Sequence, residues 1–433
     1  MIKHLIYFII VGILLSFNQP SGKIPTEKKI IDFIIKNKQD QLKLLERLVN
    51  INSETSNVEG VKKNGELIKS ELEAIGFNVS WHDLPSEMHH AGSLVATIKG
   101  SSRKKILIIG HLDTVFPIDS PFQRFILSPD HKYATGPGVI DAKGGTVTIL
   151  YAMKALHHIG ELKNANITIV FTGDEELAAK PTSISRKTLI DIANDSDIAL
   201  GFEFALSPNE LIVGRRGLDE WFLNSTGKSQ HSAAIFQPDT GFGAVYEIAR
   251  VLNEIRQNLS TTPGLTINAG LLLGGQKINE NIETGTGSAT GRKTIVPAIA
   301  YAHGDMRFLS DQQRNEAQKN MVQILTHSLQ GTNSSISFKP IIPPMQATKS
   351  NDDLLALYSI INQRLGHSAI KAASPELRGG ADISYTTPYI KAGLDGLGPW
   401  GKGAHTEAET LEIEALTIAT QRTALFILNY IKQ

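Results

Sequence analysis

The chain has 433 residues, which leaves room for two or three domains at roughly 100–200 residues each. Lys plus Arg (43) equals Asp plus Glu (43), so no global field draws it to nucleic acid or to an acidic membrane surface. It has no cysteine, which excludes disulfides, a catalytic thiol and thiolate metal sites; a metal has to be held by His, Asp and Glu.

The first stretch, MIKHLIYFIIVGILLSFNQPSG, has a lysine near its start and then an uncharged apolar block from Leu5 to Phe17. That block suits a signal-peptide core and is short of the ~20 residues of a spanning helix. Residues 1–22 are therefore expected to be an export signal that sends the protein to the periplasm or out of the cell. The small-residue cleavage pattern is poor, so an uncleaved N-terminal anchor is the alternative.

Apolar positions recur at helical spacing over 26–49, with Thr26 as a possible cap, and a second helix is expected over 60–75, closed by Gly76. Strands follow in FNVSWHDL, GSLVATIKG and KKILIIGHLD. Next come a helix over 143–159, a strand over 166–172, a helix over 183–193 and a strand over 197–203. Such alternation implies an α/β fold with a mainly parallel sheet covered on both faces.

Near Arg216 the rhythm changes. Strand (219–226), helix (241–258), strand (265–273), strand (295–309), helix (311–329) and strand (334–341) form the β-α-β-β-α-β order of a split, ferredoxin-like unit. Residues 284–292, TGTGSATGR, read as a polar, glycine-rich loop inside it, and PIIPPM (340–345) as a linker. A long helix over 408–431 ends the chain. One domain is thus expected from 23–215 and 343–433, with a smaller α+β domain, 216–342, inserted into it.

Ligands of an open α/β sheet bind beyond the carboxyl ends of its strands. ILIIG runs straight into His111, with Asp113 two residues on; GPGVIDAKGG presents Asp141 before a helix. The strand ANITIVFTG delivers Asp174, Glu175 and Glu176, and IALGF delivers Glu203. Singly, each is an ordinary polar residue, and an acidic triplet is usually a solvated face. Together, carboxylates on one sheet edge repel unless cations lie among them, and His with carboxylates suits Zn²⁺ or a similar divalent metal. Two metals balance this much charge better than one.

GHLDTVFP (110–117), GPGVIDAKGG (136–145), TGDEE (172–176), GFEFA (201–205), GKSQHSA (227–233) and the late His405 occur in order and at spacings that resemble the di-zinc aminoacylase and glutamate carboxypeptidase family. The resemblance runs over essentially the whole chain after the first segment, LVNINSET (48–55) included. The bacterial glutamate carboxypeptidases are the most similar branch, ahead of the desuccinylases and acetylornithine deacetylases. It implies a zinc-exopeptidase catalytic domain with an inserted lid and dimerisation domain, and two zinc ions per subunit. By the same resemblance Asp141 bridges both ions, His111 and Glu203 complete one site, and Glu176 and His405 complete the other.

Glu175 matches the general base that takes the proton of a metal-bridged water, and Asp113 the acid that orients His111 from behind. Adjacent Glu residues suit this division because an extended chain alternates side-chain direction. His231 in GKSQHSA matches a histidine that reaches across a homodimer to the partner's oxyanion, against the alternative of a capping or core histidine. Arg307 in GDMRF matches a lid arginine that grips a substrate carboxylate. Gly379 and Gly380 in RGGAD match a substrate loop where backbone amides approach the ligand.

The chain departs from the pattern in two places. Leu177 leads to Ala178 and Ala179 where Gly-Ser is usual, and Thr294 replaces an asparagine before the IVP strand that helps bind substrate. Specificity for a C-terminal glutamate is what the second change puts in question. The implied activity is hydrolysis of an amide beside a free C-terminal carboxylate in a small peptide or N-acyl amino acid. An N-acyl-amino-acid deacylase or a dipeptidase uses the same machinery, and a non-catalytic peptide-binding homologue is the third reading. The His pairs 89–90 and 157–158 fit no motif and are assigned to surface or helix ends, and Trp221 and Trp400 to packing.

Overall fold

A computed structural model describes residues 25–282 and 284–433; the expected export signal at 1–22 lies outside the described residues. The main sheet has six strands in the order Asn78–His82, Ser93–Lys99, Asn166–Thr172, Lys105–His111, Ile198–Gly201, Ala392–Leu394. The first two pairings are antiparallel and the other three parallel. The central strand reads KILIIGH because both its faces are covered, as parallel strands require. Ile106 and Ile108 point into a core shared with the helix Lys143–His158 and the C-terminal helix Ile413–Ile431. Leu107 and Ile109 point the other way, onto Leu189, Met345 and Ile383.

The helix Lys143–His158 is buried along almost its whole length, which is why its sequence is apolar all round. Its first turn comes so close to the sheet that a Cβ on Gly145 would lie 2.1 Å from the Phe202 carbonyl. That contact sets the loop before it against the segment that leads from the strand Ile198–Gly201 to Glu203. Among the described residues no helix is long and apolar enough to cross a membrane.

The inserted unit is a second, wholly antiparallel sheet in the order Thr332–Ile342, Gly217–Gly227, Ile299–Phe308, with Thr266–Ile267 and Leu271–Gly275 both on the far side of the last. The helices Ala244–Leu259 and Asp311–Ile324 cover one face, over Trp221, Leu223, Ala302 and Met306. Alternate burial along Gly217–Gly227 follows from this one-sided cover. The outgoing and returning chains pair at the neck, where Arg215 and Met345 exchange backbone hydrogen bonds of 2.8 and 3.1 Å.

Several expected elements differ. The helix over 26–49 is two, Pro25–Lys36 and Lys38–Val49, because the Asn37 side chain donates to the Phe33 carbonyl and competes with the helix ladder. The helix over 183–193 is also two, Thr182–Ser185 and Lys187–Asn194, on either side of Arg186, which turns into the interior. Residues 284–292 are not a plain loop: Thr286–Thr290 pairs with Lys277–Asn281 as a hairpin. The C-terminal helix begins at Ile413 rather than 408, since Thr410–Glu412 pairs with Tyr133–Thr135 instead. Lys349–Arg364 forms a helix the sequence reading did not anticipate, capped by the Thr348 hydroxyl accepting from the Asn351 amide.

Candidate metal centre

Two groups of donors meet at the carboxyl end of the main sheet: His111, Asp141 and Glu203, and Asp141, Glu176 and His405. His111 ends the central strand, Glu176 follows the strand beside it, and Glu203 follows the strand on the other side. Asp141 belongs to both groups because its two oxygens face opposite ways. Oδ1 lies 3.3 Å from His111 Nε2 and Oδ2 lies 3.1 Å from His405 Nε2. Glu203 Oε1 is 3.5 Å from His111 Nε2, and Glu176 Oε2 is 3.2 Å from His405 Nε2.

Donors around a tetrahedral metal at about 2.0–2.1 Å stand about 3.3 Å apart, so these separations match the edges of a coordination shell. The second oxygen of Glu176, Oε1, is buried and has no hydrogen-bond partner among the described residues, as expected of an atom reserved for a cation. Nitrogen and carboxylate donors without sulfur suit Zn²⁺ or a similar divalent ion. The residues fit a metal.

The charges of the bare cluster make the same point. Burial, and then the charge of Asp141, pushes the Glu203 carboxyl up to about 7. Burial and Asp141 also raise Glu176, and burial with the charge of Glu203 raises Glu175 well above the usual range. Hydrogen bonds to Asp141 and Glu176 push the His405 imidazole up to about 11. Protons are drawn in where positive charge is wanted.

Asp113 is completely buried, and it does more than face one imidazole. Its Oδ1 is 3.4 Å from His111 Nδ1, which lies closer, at 3.1 Å, to the Asp113 carbonyl. The same carboxylate accepts from the Thr55 hydroxyl (2.8 Å) and from the backbone amides of Glu175 (3.1 Å) and Glu176 (3.0 Å). One acid therefore fixes the ring on one strand and both glutamates on the next. Burial opposes its ionisation, but the His111 ring, Thr55 and the Glu176 amide hold its carboxyl below the usual range.

Glu175 enters neither donor group. It lines a small pocket with His111, Glu203 and Asp382, beside the metal residues and apart from Glu176. Asp174, the third acid of the triplet, turns away from the site. It is buried on Arg186, which donates from Nη1 to its Oδ1 at 2.7 Å and from Nε to Asp382 Oδ1 at 2.6 Å.

Sequence reasoning missed Glu409. Its buried carboxylate accepts from the amides of Gly138 (3.0 Å), Ile140 (2.8 Å) and Asp141 (3.1 Å) and so shapes the loop that carries Asp141, the residue common to both donor groups. Gly138 is required in that loop: its φ is +76°, and a Cβ would lie 2.6 Å from the Thr114 methyl. The one available signal was position, four residues after His405. His405 itself holds a left-handed φ of +63°, a conformation a non-glycine residue keeps only where its surroundings impose it.

The remaining candidates lie elsewhere. His231 is exposed on the inserted unit, its Nδ1 accepting from the Ala233 amide, and it is not among the residues gathered at the metal cluster. Arg307 pairs with Asp305 at 3.0 Å and comes near Gly379. A Cβ on Gly380 would lie 2.4 Å from Ile342, so that glycine also serves close packing of the loop under the inserted sheet. Trp221 is buried in the inserted core, while Trp400 donates from Nε1 to Glu412 and stacks on Arg422.

The profile of the peptidase family M20/M25/M40 matches residues 107–429. Carboxypeptidase G2 from a Pseudomonas species is 26% identical over 408 residues, covering 90% of this chain and 88% of that one. Among solved structures, the aminopeptidase PepT from Bacillus cereus superposes with a TM-score of 0.71 at 16% identity, covering 92% of this chain and 99% of that one. The family M20 metallo-carboxypeptidase Sso-CP2 from Sulfolobus solfataricus does so with a TM-score of 0.62 at 17% identity, covering 91% and 99%. At such identities these two likenesses speak for the fold.

Proposed function

The chain belongs to peptidase family M20/M25/M40, and from that premise we propose that it is a two-zinc exopeptidase that hydrolyses the amide beside a free C-terminal amino acid, with Glu175 as general base. The observation that carries the reading is the division of labour around Asp141. One of its oxygens faces each histidine, Glu203 and Glu176 complete the two groups, and Glu175 is left beside them with no donor role.

Divalent cations, when bound to the two groups, supply Lewis acidity to the scissile carbonyl and to the attacking water. His111, Asp141 and Glu203 would hold one of them, and Asp141, Glu176 and His405 the other. Glu175 accepts the proton of the attacking water at a carboxylate oxygen and delivers it to the leaving nitrogen. Asp113 keeps the His111 ring and the Glu175 backbone in place during that transfer. Arg307 takes the substrate's α-carboxylate from the side of the inserted unit.

The inserted unit pairs two copies, so that the exposed His231 of each stabilises the oxyanion in the other's site. Export rests on the pattern of residues 1–22 and is tested by the N-terminal sequence of protein recovered from cell fractions.

The decisive experiment joins metal analysis to a hydrolysis screen over N-acylated glutamate, N-acetylated amino acids and simple dipeptides. Two zinc ions per chain are expected, with activity lost to a chelator and restored by zinc. The preferred class separates a carboxypeptidase from a deacylase or a dipeptidase. No hydrolysis of any class after zinc reconstitution overturns the reading.

A further inference from the structure

Arg186 is a fully buried arginine that stands between the helices Thr182–Ser185 and Lys187–Asn194, and the mechanism above gives it no part. Its guanidinium spans two segments far apart in the chain. Nη1 donates to Asp174 Oδ1 (2.7 Å) and Nη2 to the Asp174 carbonyl (2.8 Å), while Nε donates to Asp382 Oδ1 (2.6 Å). Asp174 is the residue before Glu175. Asp382 ends the glycine loop that begins at Gly379, and it lines the same small pocket as Glu175.

Each acid is fixed again on its far side. Asp174 Oδ2 accepts from the Ala179 amide (2.9 Å), which closes the turn that carries Glu175 and Glu176. Asp382 Oδ2 accepts from the Thr172 hydroxyl, at the end of the strand that leads into the triplet. Three residues on, the Tyr385 ring lies 5.6 Å from the Arg186 guanidinium, and its hydroxyl donates to the Ile341 carbonyl (3.0 Å) on the returning strand of the inserted unit. Packing alone does not call for this arrangement, because apolar residues of like volume hold two segments together as well as a buried ionic triad does. What the guanidinium adds is direction: a planar fork bonds at fixed angles and so sets the spacing between its two acids.

We propose that Arg186 is a positioning residue that holds the loop Gly379–Asp382 in register with Glu175, acting through Asp382 on one side and Asp174 on the other. The proposal rests on the reading of the chain as an amide hydrolase with Glu175 as its base. Gly379 is exposed, so its backbone is open to a substrate, while Glu175 faces the pocket across the brace. A shift between the two segments moves a bound amide relative to the base, and a misplacement of about 1 Å can cost about a hundredfold in rate.

Arg186→Lys keeps the charge, but a point-like ammonium cannot reproduce the fork. With zinc-reconstituted protein and the substrate that the wild type turns over fastest among N-acylated glutamate, N-acetylated amino acids and dipeptides, kcat is expected to fall by about tenfold to a hundredfold, with KM changed less than about threefold and zinc content unchanged. Thr172→Val removes only the second tether of Asp382 and should lower kcat by about three- to tenfold. The double variant should lose less than the product of the two losses, since both act through Asp382. Amide hydrogen exchange needs no substrate: in Arg186→Lys it should quicken over 174–176 and 379–382 together, and not in the strand Lys105–His111.

Unchanged kcat in folded Arg186→Lys overturns the proposal, as does a rise in KM alone, which would make the loop a binding element with no register to the base. Loss of zinc overturns it too, because the effect then runs through the metal residues. If Arg186→Lys does not fold, Thr172→Val decides by the same kcat criterion. If the wild type hydrolyses nothing, the hydrolase reading fails by itself and the brace is judged by exchange: in Arg186→Lys, or in Thr172→Val where that variant alone folds, unchanged rates at either segment overturn it.

Discussion

Glu175 and Glu176 are adjacent and chemically identical, and their surroundings alone divide them. Glu176 faces His405 and Asp141, whereas Glu175 faces a pocket. Glu175→Gln keeps the shape and removes the proposed base, so kcat is expected to fall by about 10²–10⁴-fold. Metal analysis should find the zinc content unchanged; loss of metal would make Glu175 a ligand. That two acids follow one strand is plain in the sequence, as is the placing of His111 and Glu203 after neighbouring strands. The role of Asp174 was not legible there, because Arg186, which binds it directly, is turned inward and shared with Asp382, 196 residues beyond Arg186. Arg186→Met leaves two buried acids without their cation and should cost about 3–5 kcal/mol of unfolding free energy in denaturant titration. Glu409 was hidden for the same reason: its bonds run to amides some 270 positions away, and nothing local marks it.

Elements with a clean period were legible and broken ones were not. The strand Asn166–Thr172 stands where its β-branched run ends, at the same residues as expected. Asn37 and Arg186 split helices that an apolar period carries straight through, because one hydrogen bond or one inward side chain outweighs periodicity. Thr286–Thr290 has the composition of a loop and becomes a strand because Lys277–Asn281 offers it a ladder.

Within the inserted unit, Glu247 joins three elements. It accepts from Arg250 on its own helix, from the Leu329 amide (2.8 Å) and from the Ser334 hydroxyl (3.2 Å). Burial opposes its ionisation, but these donors hold its carboxyl below the usual range. A depressed carboxyl contributes stability that is complete above its unfolded pKa of about 4.3 and is lost as pH falls through its folded value. Glu247→Gln should therefore lower the unfolding free energy at neutral pH by about 1.5–3 kcal/mol and flatten its decline in acid. An equal deficit at every pH would show that packing, not charge, holds this corner.

At the scale of the molecule, the neck at Arg215 and Met345 joins a body that holds the metal residues to a unit that carries His231 and Arg307. His231 stands outside the metal cluster, exposed, so a role in catalysis requires that a second copy bring it to the site. This part of the proposed mechanism has a sharp test in complementation. Glu175→Gln and His231→Ala are each expected to be nearly inactive alone. When their subunits are exchanged, a mixed dimer contains one site with an intact Glu175 that faces an intact His231 from the other copy. Random exchange makes half of the dimers mixed, each with one of its two sites restored, so about a quarter of wild-type activity should return in a closed two-fold dimer. Activity that stays at the level of the separate variants, although sedimentation shows mixed dimers, would place His231 in its own chain's site or outside the chemistry. Sedimentation as a monomer would remove the dimer from the mechanism altogether, and the metal residues of one chain would then have to act without His231.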